Sequence, residues 1–359
     1  MESDIAYWST TGIGPLDSMM GGGLPSGRIL EIYGQESVAK TTLALEFARG
    51  FCNYHKKKKN KYKVLYIETE SSLDRVRTKY MGIPIEIFEF YETQIIEEVF
   101  EKILTTLKEA EKTEVYYFIV FDTLAAAKCK VEMSEKSKYA GGMMLKPRTI
   151  NDYLARIVKP LSTTNSILCL PNQAYDGGKK GLIAKGGMGP KYYSSIRIKL
   201  DKGFNYKTML PTGEEVTVGI GVNVTTVKNK VFLPNQEIII ILKGEKGIDE
   251  LETLVFFLVQ KELIKLSGSW KKIKIRNKEL SFQSVRKLRE HIEKKEEWKE
   301  VHDYMKFLVL NYYCSISPLF KIRFIKELWK GEAKFAGGKK TKLLEDEQTT
   351  YDYAKSIST

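Results

Sequence analysis

The sequence predicts an α/β protein: a mixed, mostly parallel twisted sheet covered by helices, followed by a small α+β domain. Three observations predict it. Short runs that are apolar almost throughout recur near 28–33, 63–68, 116–122 and 166–171, as strands covered on both faces do. Segments with apolar residues at helical spacing lie between them, and strand–helix alternation of this kind implies parallel pairing. After Tyr193 the rhythm changes to strands joined by turns, which adds antiparallel edges.

The elements follow in order. RILEIY at 28–33 is a buried strand, Gly34 breaks it, and TTLALEFARGF after Lys40 is a helix. KVLYIE at 63–68 is the second strand. QIIEEVFEKILTTLKEA at 94–110 is an amphipathic helix with Ile95, Val99, Ile103 and Leu107 on one face. YYFIVFD at 116–122 is the third strand, 150–160 a helix, and Ser166–Pro171 the fourth strand. SSIRIKLDKG, EEVTVGIGVNVTTVKNKVF and EIIIILK are later strands. A helix returns from Gly247 through Ile248, Leu251, Leu254, Val255 and Leu258. SGSWKKIKIRNKELS reads as a hairpin, and a charged helix runs from about Phe282 to Glu297. The expected domains are a core at 1–245, a small basic domain at 246–310, and a partly disordered extension at 311–359. That extension ends in a flexible stretch carrying Glu345, Asp346 and Glu347.

Composition narrows the function. The chain has 359 residues, 43% hydrophobic and 29% charged, which excludes a disordered chain and a membrane protein. No window approaches the roughly 18 apolar residues of a spanning helix. The start, MESDIAYWST, lacks the basic end of a signal peptide. Cys52, Cys129, Cys169 and Cys314 are scattered and read as free thiols in a reducing cytoplasm. Three histidines and no Cys/His cluster argue against structural zinc. The net charge of +13 favours a polyanionic partner. Residues 261–299 carry much of it, with Trp270, Ile273, Ile275 and Phe282 interleaved, as on a folded basic face. The Lys56–Lys59 run, with Lys61 and Lys63, reads as a solvated loop between a helix and a strand.

Gly34, Gln35, Glu36, Ser37, Val38, Ala39, Lys40 and Thr41 nearly match GxxxxGK[ST], between a strand and a helix, with Thr42 following. In that context the pattern is a phosphate cradle. Backbone N–H groups and the helix N-terminus hold phosphate. Lys40 neutralises β/γ oxygens, and the Thr41 hydroxyl is placed for Mg²⁺. Ala39 replaces the second glycine; a Cβ at positive φ there costs ~1–2 kcal/mol. Taken alone, the segment also reads as a turn that contains Lys-Thr.

Two strands end in acids: Glu68 and Glu70 after the second, Asp122 after the third. Open α/β sheets put their chemistry at such ends. Asp122 reads as the metal-side aspartate and Glu70 as the base that orients and deprotonates water. Glu68 points into the sheet or caps a helix. Each acid alone reads first as a helix cap or a surface group; together, in chain order after a phosphate loop, they read as catalytic. Asn172-Gln173 ends the fourth strand, as an amide for the γ-phosphate or simply a polar terminus.

These residues, with STTGIGPLD, GGGLPSGRILEIYG, YIETESSLD, FIVFDTLAA, GGMGPKYYSSIR, VKNKVFLP and LVQKELIKLSGSW, resemble the RecA recombinase family of bacteria and phages. The resemblance spans about Trp8 to Glu297 and implies a RecA-like P-loop ATPase core using ATP and Mg²⁺. It gives Lys40 and Thr41 the phosphate and magnesium roles, Glu70 the catalytic role and Asp122 the metal side. Gln173 becomes the γ-phosphate sensor that opens the second DNA loop. Asp74 and Arg77 fall at adenine, where Arg77 would stack through its guanidinium plane. Lys228 and Lys230, two apart on a strand, would reach the neighbouring subunit's ATP as an arginine finger does; without the resemblance they are exposed strand lysines. Lys191 and Tyr192 match subunit-interface residues. The first DNA loop would be about Glu132–Met143, entering a helix near Arg148. The second would be Ala174–Gly187, with Lys179, Lys180 and Lys185 for phosphates, Gly186 and Gly187 for close approach, and Leu182 or Ile183 as a wedge between bases. Both loops also read as mobile surface loops. Three departures stand out: Ala39, a shorter second loop, and only about seven residues before the core, where bacterial members carry a helix and strand that docks on the next subunit.

The expected function is ATP-dependent recombination in the cytoplasm. The chain would bind single-stranded DNA as a helical filament and pair it with double-stranded DNA in strand exchange and repair. The rivals are a RecA-like ring motor of helicase type, an ATPase-deficient ssDNA-binding mediator, and an ATPase acting on RNA.

Overall fold

The computed structural model describes residues 5–71, 73–133, 145–209, 212–275, 278–317, 320–321 and 323–324. The chain forms two compact units. One is built from the chain up to Gly12 and from Gly22–Asp249, the other from Ile13–Gly21 and the chain from Glu250 onward.

In the first unit β1 (Trp8–Ser9) pairs antiparallel with β2 (Leu24–Pro25). Between them in sequence, α1 (Gly14–Met20) belongs to the second unit. Then come β3 (Ile29–Gly34), α2 (Lys40–Lys58), β4 (Tyr62–Glu68), α3 (Arg75–Tyr80), β5 (Phe88–Glu92), α4 (Ile96–Thr113) and β6 (Tyr116–Asp122). They are followed by α5 (Leu145–Thr163), β7 (Ile167–Asp176), β8 (Leu182–Ala184), α6 (Met188–Tyr193), β9 (Ile196–Met209), β10 (Glu215–Asn229), β11 (Glu237–Lys243) and β12 (Gly247–Ile248). Among the described residues the main sheet has ten strands, ordered β12-β11-β10-β9-β3-β7-β6-β4-β5, with β8 paired to β7. From β9 to β5 the neighbours run parallel. From β9 to β12 they run antiparallel.

Burial explains the apolar runs. Side chains alternate across a strand. Ile119 and Phe121 of β6 pack with Ile103 and Leu107 of α4 and Leu154 and Ile157 of α5. Phe118 meets Phe51 of α2 on the other face, ring centroids 5.5 Å apart. Both faces of β6 are covered, so no polar residue interrupts it before Asp122.

Several elements differ from expectation. The Lys56–Lys58 run is the last turn of α2, where cations complement the helix dipole, and Lys59 caps it at φ +59°. The helix at 150–160 extends over Leu145–Thr163. The fourth strand continues past Pro171 to Asp176, and part of the expected loop Ala174–Gly187 is a hairpin, because Ala174–Asp176 pairs with Leu182–Ala184. Ile248 ends a strand rather than starting a helix. The edge strand β5, FEFYE, alternates too weakly to be seen in sequence but pairs parallel with β4.

In the second unit α7 (Glu250–Gln260) is followed by an antiparallel sheet of β13 (Lys265–Ser267), β14 (Trp270–Ile275) and β15 (Lys278–Phe282). The charged helix starts later than expected, as α8 (Val285–Lys294), because Phe282 closes β15 and Ser284 caps the helix by accepting the Lys287 N–H at 3.3 Å. A separate helix, α9 (Glu296–Ile316), runs past residue 310 into the expected extension. On β14 Ile273 and Ile275 are buried while Lys274 is exposed, the two-residue alternation of a one-sided sheet. Glu345, Asp346 and Glu347 lie outside the described residues. Among the described residues no helix is long and apolar enough to cross a membrane, and all four cysteines are buried and outside any disulfide.

Candidate nucleotide and nucleic-acid site

The sheet brings the predicted residues together at the carboxyl ends of adjacent parallel strands. Gly34 of β3 pairs with Gln173 of β7, and Glu68 of β4 with Asp122 of β6. β6 and β7 are neighbours, so the four ends form one rim.

The loop from β3 into α2 has the backbone of an anion cradle. Ser37 (φ +59°) and Ala39 (φ +67°) are both left-handed. Ala39 is the N-cap of α2 and has no side-chain acceptor, so the first N–H groups of the helix stay open to an anion. A Cβ on Gly34 would run into the Leu200 carbonyl, which explains a glycine there. Gln35, Glu36 and Ser37 are exposed, Val38 and Thr42 buried. The Lys40 ammonium rests on the Gln35 carbonyl at 2.5 Å. Burial lowers its pKa, and the negative charges of Asp122, Glu36 and Glu70 oppose that shift.

Asp122 Oδ2 accepts from the Thr41 hydroxyl and from the Tyr66 phenol, both at 2.7 Å. Burial raises its pKa, against those two donors. A hydroxyl and a carboxylate are hard oxygen donors of the kind Mg²⁺ takes, so Thr41 and Asp122 fit that ion. Glu70 is exposed, yet partial desolvation and then the Asp122 charge raise its pKa. Its Oε1 accepts from Gln173 Nε2 at 3.1 Å, and Gln173 Oε1 accepts from Lys185 Nζ at 2.9 Å. Glu68 is buried and accepts the Leu73 N–H at 2.6 Å.

Asp74 caps α3 by accepting the Arg77 N–H at 2.9 Å. The Arg77 guanidinium donates to the Gly244 carbonyl at 3.0 Å. With the exposed Val76 and Tyr80 these two residues line a cavity of about 280 Å³.

Lys228, Lys230, Lys191 and Tyr192 form one cluster. Lys228 Nζ donates to the Lys191 carbonyl at 2.5 Å and to the Tyr192 carbonyl at 3.0 Å, and Lys230 Nζ reaches the latter at 3.5 Å. The two ammonium groups thus satisfy carbonyls at the end of α6. Burial, then the charges of Lys230 and Arg197, lower the Lys228 pKa to about 8.

Of the residues expected on DNA, Arg148 is exposed on α5, 3.9 Å from Asp152. Lys179 and Lys180 lie in the tight turn Gly178–Lys180 at the tip of the β7–β8 hairpin, Lys179 exposed. Leu182 and Ile183 begin β8, half-buried. Gly186 (φ +91°) and Gly187 (φ +77°) lie at the hairpin's base, where a Cβ would press on Leu124 and Pro147 respectively. Residues 134–143 of the expected first loop lie outside the described residues.

Residues 2–249 match the family described as the RecA N-terminal domain. The chain belongs to the RecA family. Protein RecA of Colwellia psychrerythraea is 31% identical over 275 residues, 74% of each chain. Protein RecA of Thermus aquaticus is 30% identical over 269 residues, 72% of this chain and 74% of that one. Protein RecA of Malacoplasma penetrans is 29% identical over 263 residues, 71% and 74%.

Within this RecA-family core the sequence reading missed three residues. Tyr66 lies inside the apolar run KVLYIE and holds Asp122. Glu31, wholly buried, accepts from Arg197 Nε at 2.5 Å and from Asn172 Nδ2 at 2.9 Å. The signal was a lone acid, Glu31, in RILEIY and a cation, Arg197, between two isoleucines in SSIRIKL, each costly to bury without the other.

Proposed function

We propose that this RecA-family chain is an ATP-dependent DNA recombinase. It binds single-stranded DNA as an oligomer, holds ATP between subunits, and pairs the bound strand with a homologous duplex. The convergence of Lys40 and Thr41 at the start of α2 with Glu70, Asp122 and Gln173 near the ends of adjacent strands carries the reading.

The open N–H groups of the cradle bind the β-phosphate, and Lys40 neutralises the β/γ oxygens. Thr41 and Asp122 would hold Mg²⁺, which would supply further charge neutralisation of the phosphates. Glu70 orients water and accepts its proton; a raised carboxylate pKa suits a base working near neutrality. The Gln173 amide is the group that a terminal phosphoryl would engage in this reading, and β7 continues from it into the β7–β8 hairpin. Lys179 and Lys180 at the hairpin tip and Arg148 on α5 hold phosphates, and sequence is read by base pairing.

Lys228 pairs with Arg197, which pairs with Glu31, three strand positions before Gly34. That separation is roughly 10 Å along the strand. It supports a trans role, in which Lys228 and Lys230 serve the triphosphate of the next copy and Asp74 and Arg77 face the base.

Mixing two inactive variants tests the reading. Glu70→Gln and Lys228→Ala should each lose ATP turnover, and an equimolar mixture should recover a measurable part, because some interfaces then pair an intact Glu70 with an intact Lys228. No recovery, with both variants folded and binding DNA, would remove the trans site. Wild-type DNA binding without any turnover would identify the ATPase-deficient mediator instead.

A further inference from the structure

We propose that Lys185 is a positioning residue for ATP hydrolysis: its ammonium fixes the Gln173 carboxamide so that the amide N–H faces Glu70. The inference rests on the ATPase reading above and takes Lys185 out of the set of DNA-phosphate contacts.

The geometry decides the polarity of the amide. An ammonium can only donate and a carboxylate can only accept. With Lys185 Nζ at 2.9 Å on one side and Glu70 Oε1 at 3.1 Å on the other, Gln173 has one orientation that satisfies both: Oε1 to lysine, Nε2 to glutamate. Without the ammonium, either amide atom could turn toward solvent, and Glu70 would lose a donor that fixes its carboxylate.

Lys185 is itself held. Its backbone N–H donates to the Gln173 carbonyl at 2.9 Å, and its carbonyl accepts from Asn172 Nδ2 at 2.7 Å. Asn172 also donates to the buried Glu31, so the anchor reaches into the sheet. Gly186, next in the chain, is packed against Leu124. Lys185 therefore sits at the neck of the hairpin, whereas the tip closes at Gly177–Gly181 through a 2.9 Å hydrogen bond. From the neck its charge reaches both Lys40 and Glu70.

Steady-state ATPase assays with and without saturating ssDNA test the proposal in wild type, Lys185→Met, Lys185→Arg and Glu70→Gln. Lys185→Met should lower the DNA-stimulated kcat roughly tenfold, as expected for loss of a charge-assisted hydrogen bond, with the KM for ATP within about twofold. Lys185→Arg, which keeps a cationic donor, should restore most of kcat. An unchanged kcat in Lys185→Met, or a rise in KM alone, would overturn the inference while Glu70→Gln is inactive. Full turnover in Glu70→Gln would instead remove the function reading on which it rests. The salt dependence of ssDNA binding gives a second readout. Lys185→Met should keep the wild-type slope, and a slope lowered by about one phosphate contact with normal kcat would mark Lys185 as a DNA ligand.

Discussion

The Thr41 hydroxyl donates a 2.7 Å hydrogen bond to Asp122 Oδ2, tying the first turn of α2 to the end of β6. One contact thereby joins the start of α2, next to the β3–α2 loop, to Asp122, and Tyr66 holds the same oxygen from β4.

Asp122→Asn should separate stability from activity. The folded-state pKa of Asp122 is raised by burial, so its ionised form costs stability above that pKa, and the cost is relieved as pH falls through it. A neutral amide keeps an acceptor for Thr41 and Tyr66 and carries no buried charge. The variant should hold or raise the wild-type Tm at pH 7 and lose Mg²⁺-dependent turnover. A Tm lowered by more than a few degrees would contradict this.

Tyr66→Phe removes one donor and leaves the ring, which is 1% exposed. A destabilisation of about 1–2 kcal/mol is expected in urea unfolding, with a weaker dependence of ATPase rate on low Mg²⁺. No change in either would make the phenol a bystander.

Ala39→Gly tests the cradle. Ala39 stands at φ +67°, where a Cβ is unfavourable. Glycine there should raise stability by about 1 kcal/mol and tighten ATP binding. Weaker binding would show that the alanine methyl makes a needed contact.

The four strand ends were legible because β3, β4, β6 and β7 are mostly apolar, Glu31 apart in β3, before the chain reaches Gly34, Glu68, Asp122 and Asn172. What decides Lys185 is nonlocal. Only the pairing of Ala174–Asp176 with Leu182–Ala184 brings it back to Gln173, and AYDGGKKGLIAKGG reads as a basic loop. Glu31 and Arg197 are 166 positions apart, so each looked like a stray charge until β3 and β9 paired. Nor does local sequence reveal that α1, embedded between two strands of the first unit, belongs to the second.

His55 predicts acid sensitivity. Its ring is wholly buried among Tyr7, Phe51, Tyr54, Tyr62 and Tyr116, and Nδ1 meets the Asn60 amide at 3.0 Å. Burial lowers its pKa to about 4, from 6.5. The unfolded chain therefore takes up a proton that the folded chain refuses, and stability falls as pH drops from about 6.5 to about 4. The full loss at this site is about 3 kcal/mol. Unfolding at pH 7 and pH 5 should show a difference that shrinks in His55→Leu. An equal difference in that variant would place the acid sensitivity elsewhere.

Lys179→Ala should weaken ssDNA binding about equally for all sequences and lower the salt slope by roughly one phosphate contact. A sequence-dependent loss would make Lys179 a base contact.

The affinity of wild-type protein for a fluorescent ssDNA oligonucleotide, measured with and without ATP and Mg²⁺, tests the central claim most directly. A nucleotide held between copies and sensed through Gln173 should tighten binding at least tenfold. The same affinity under both conditions would contradict it.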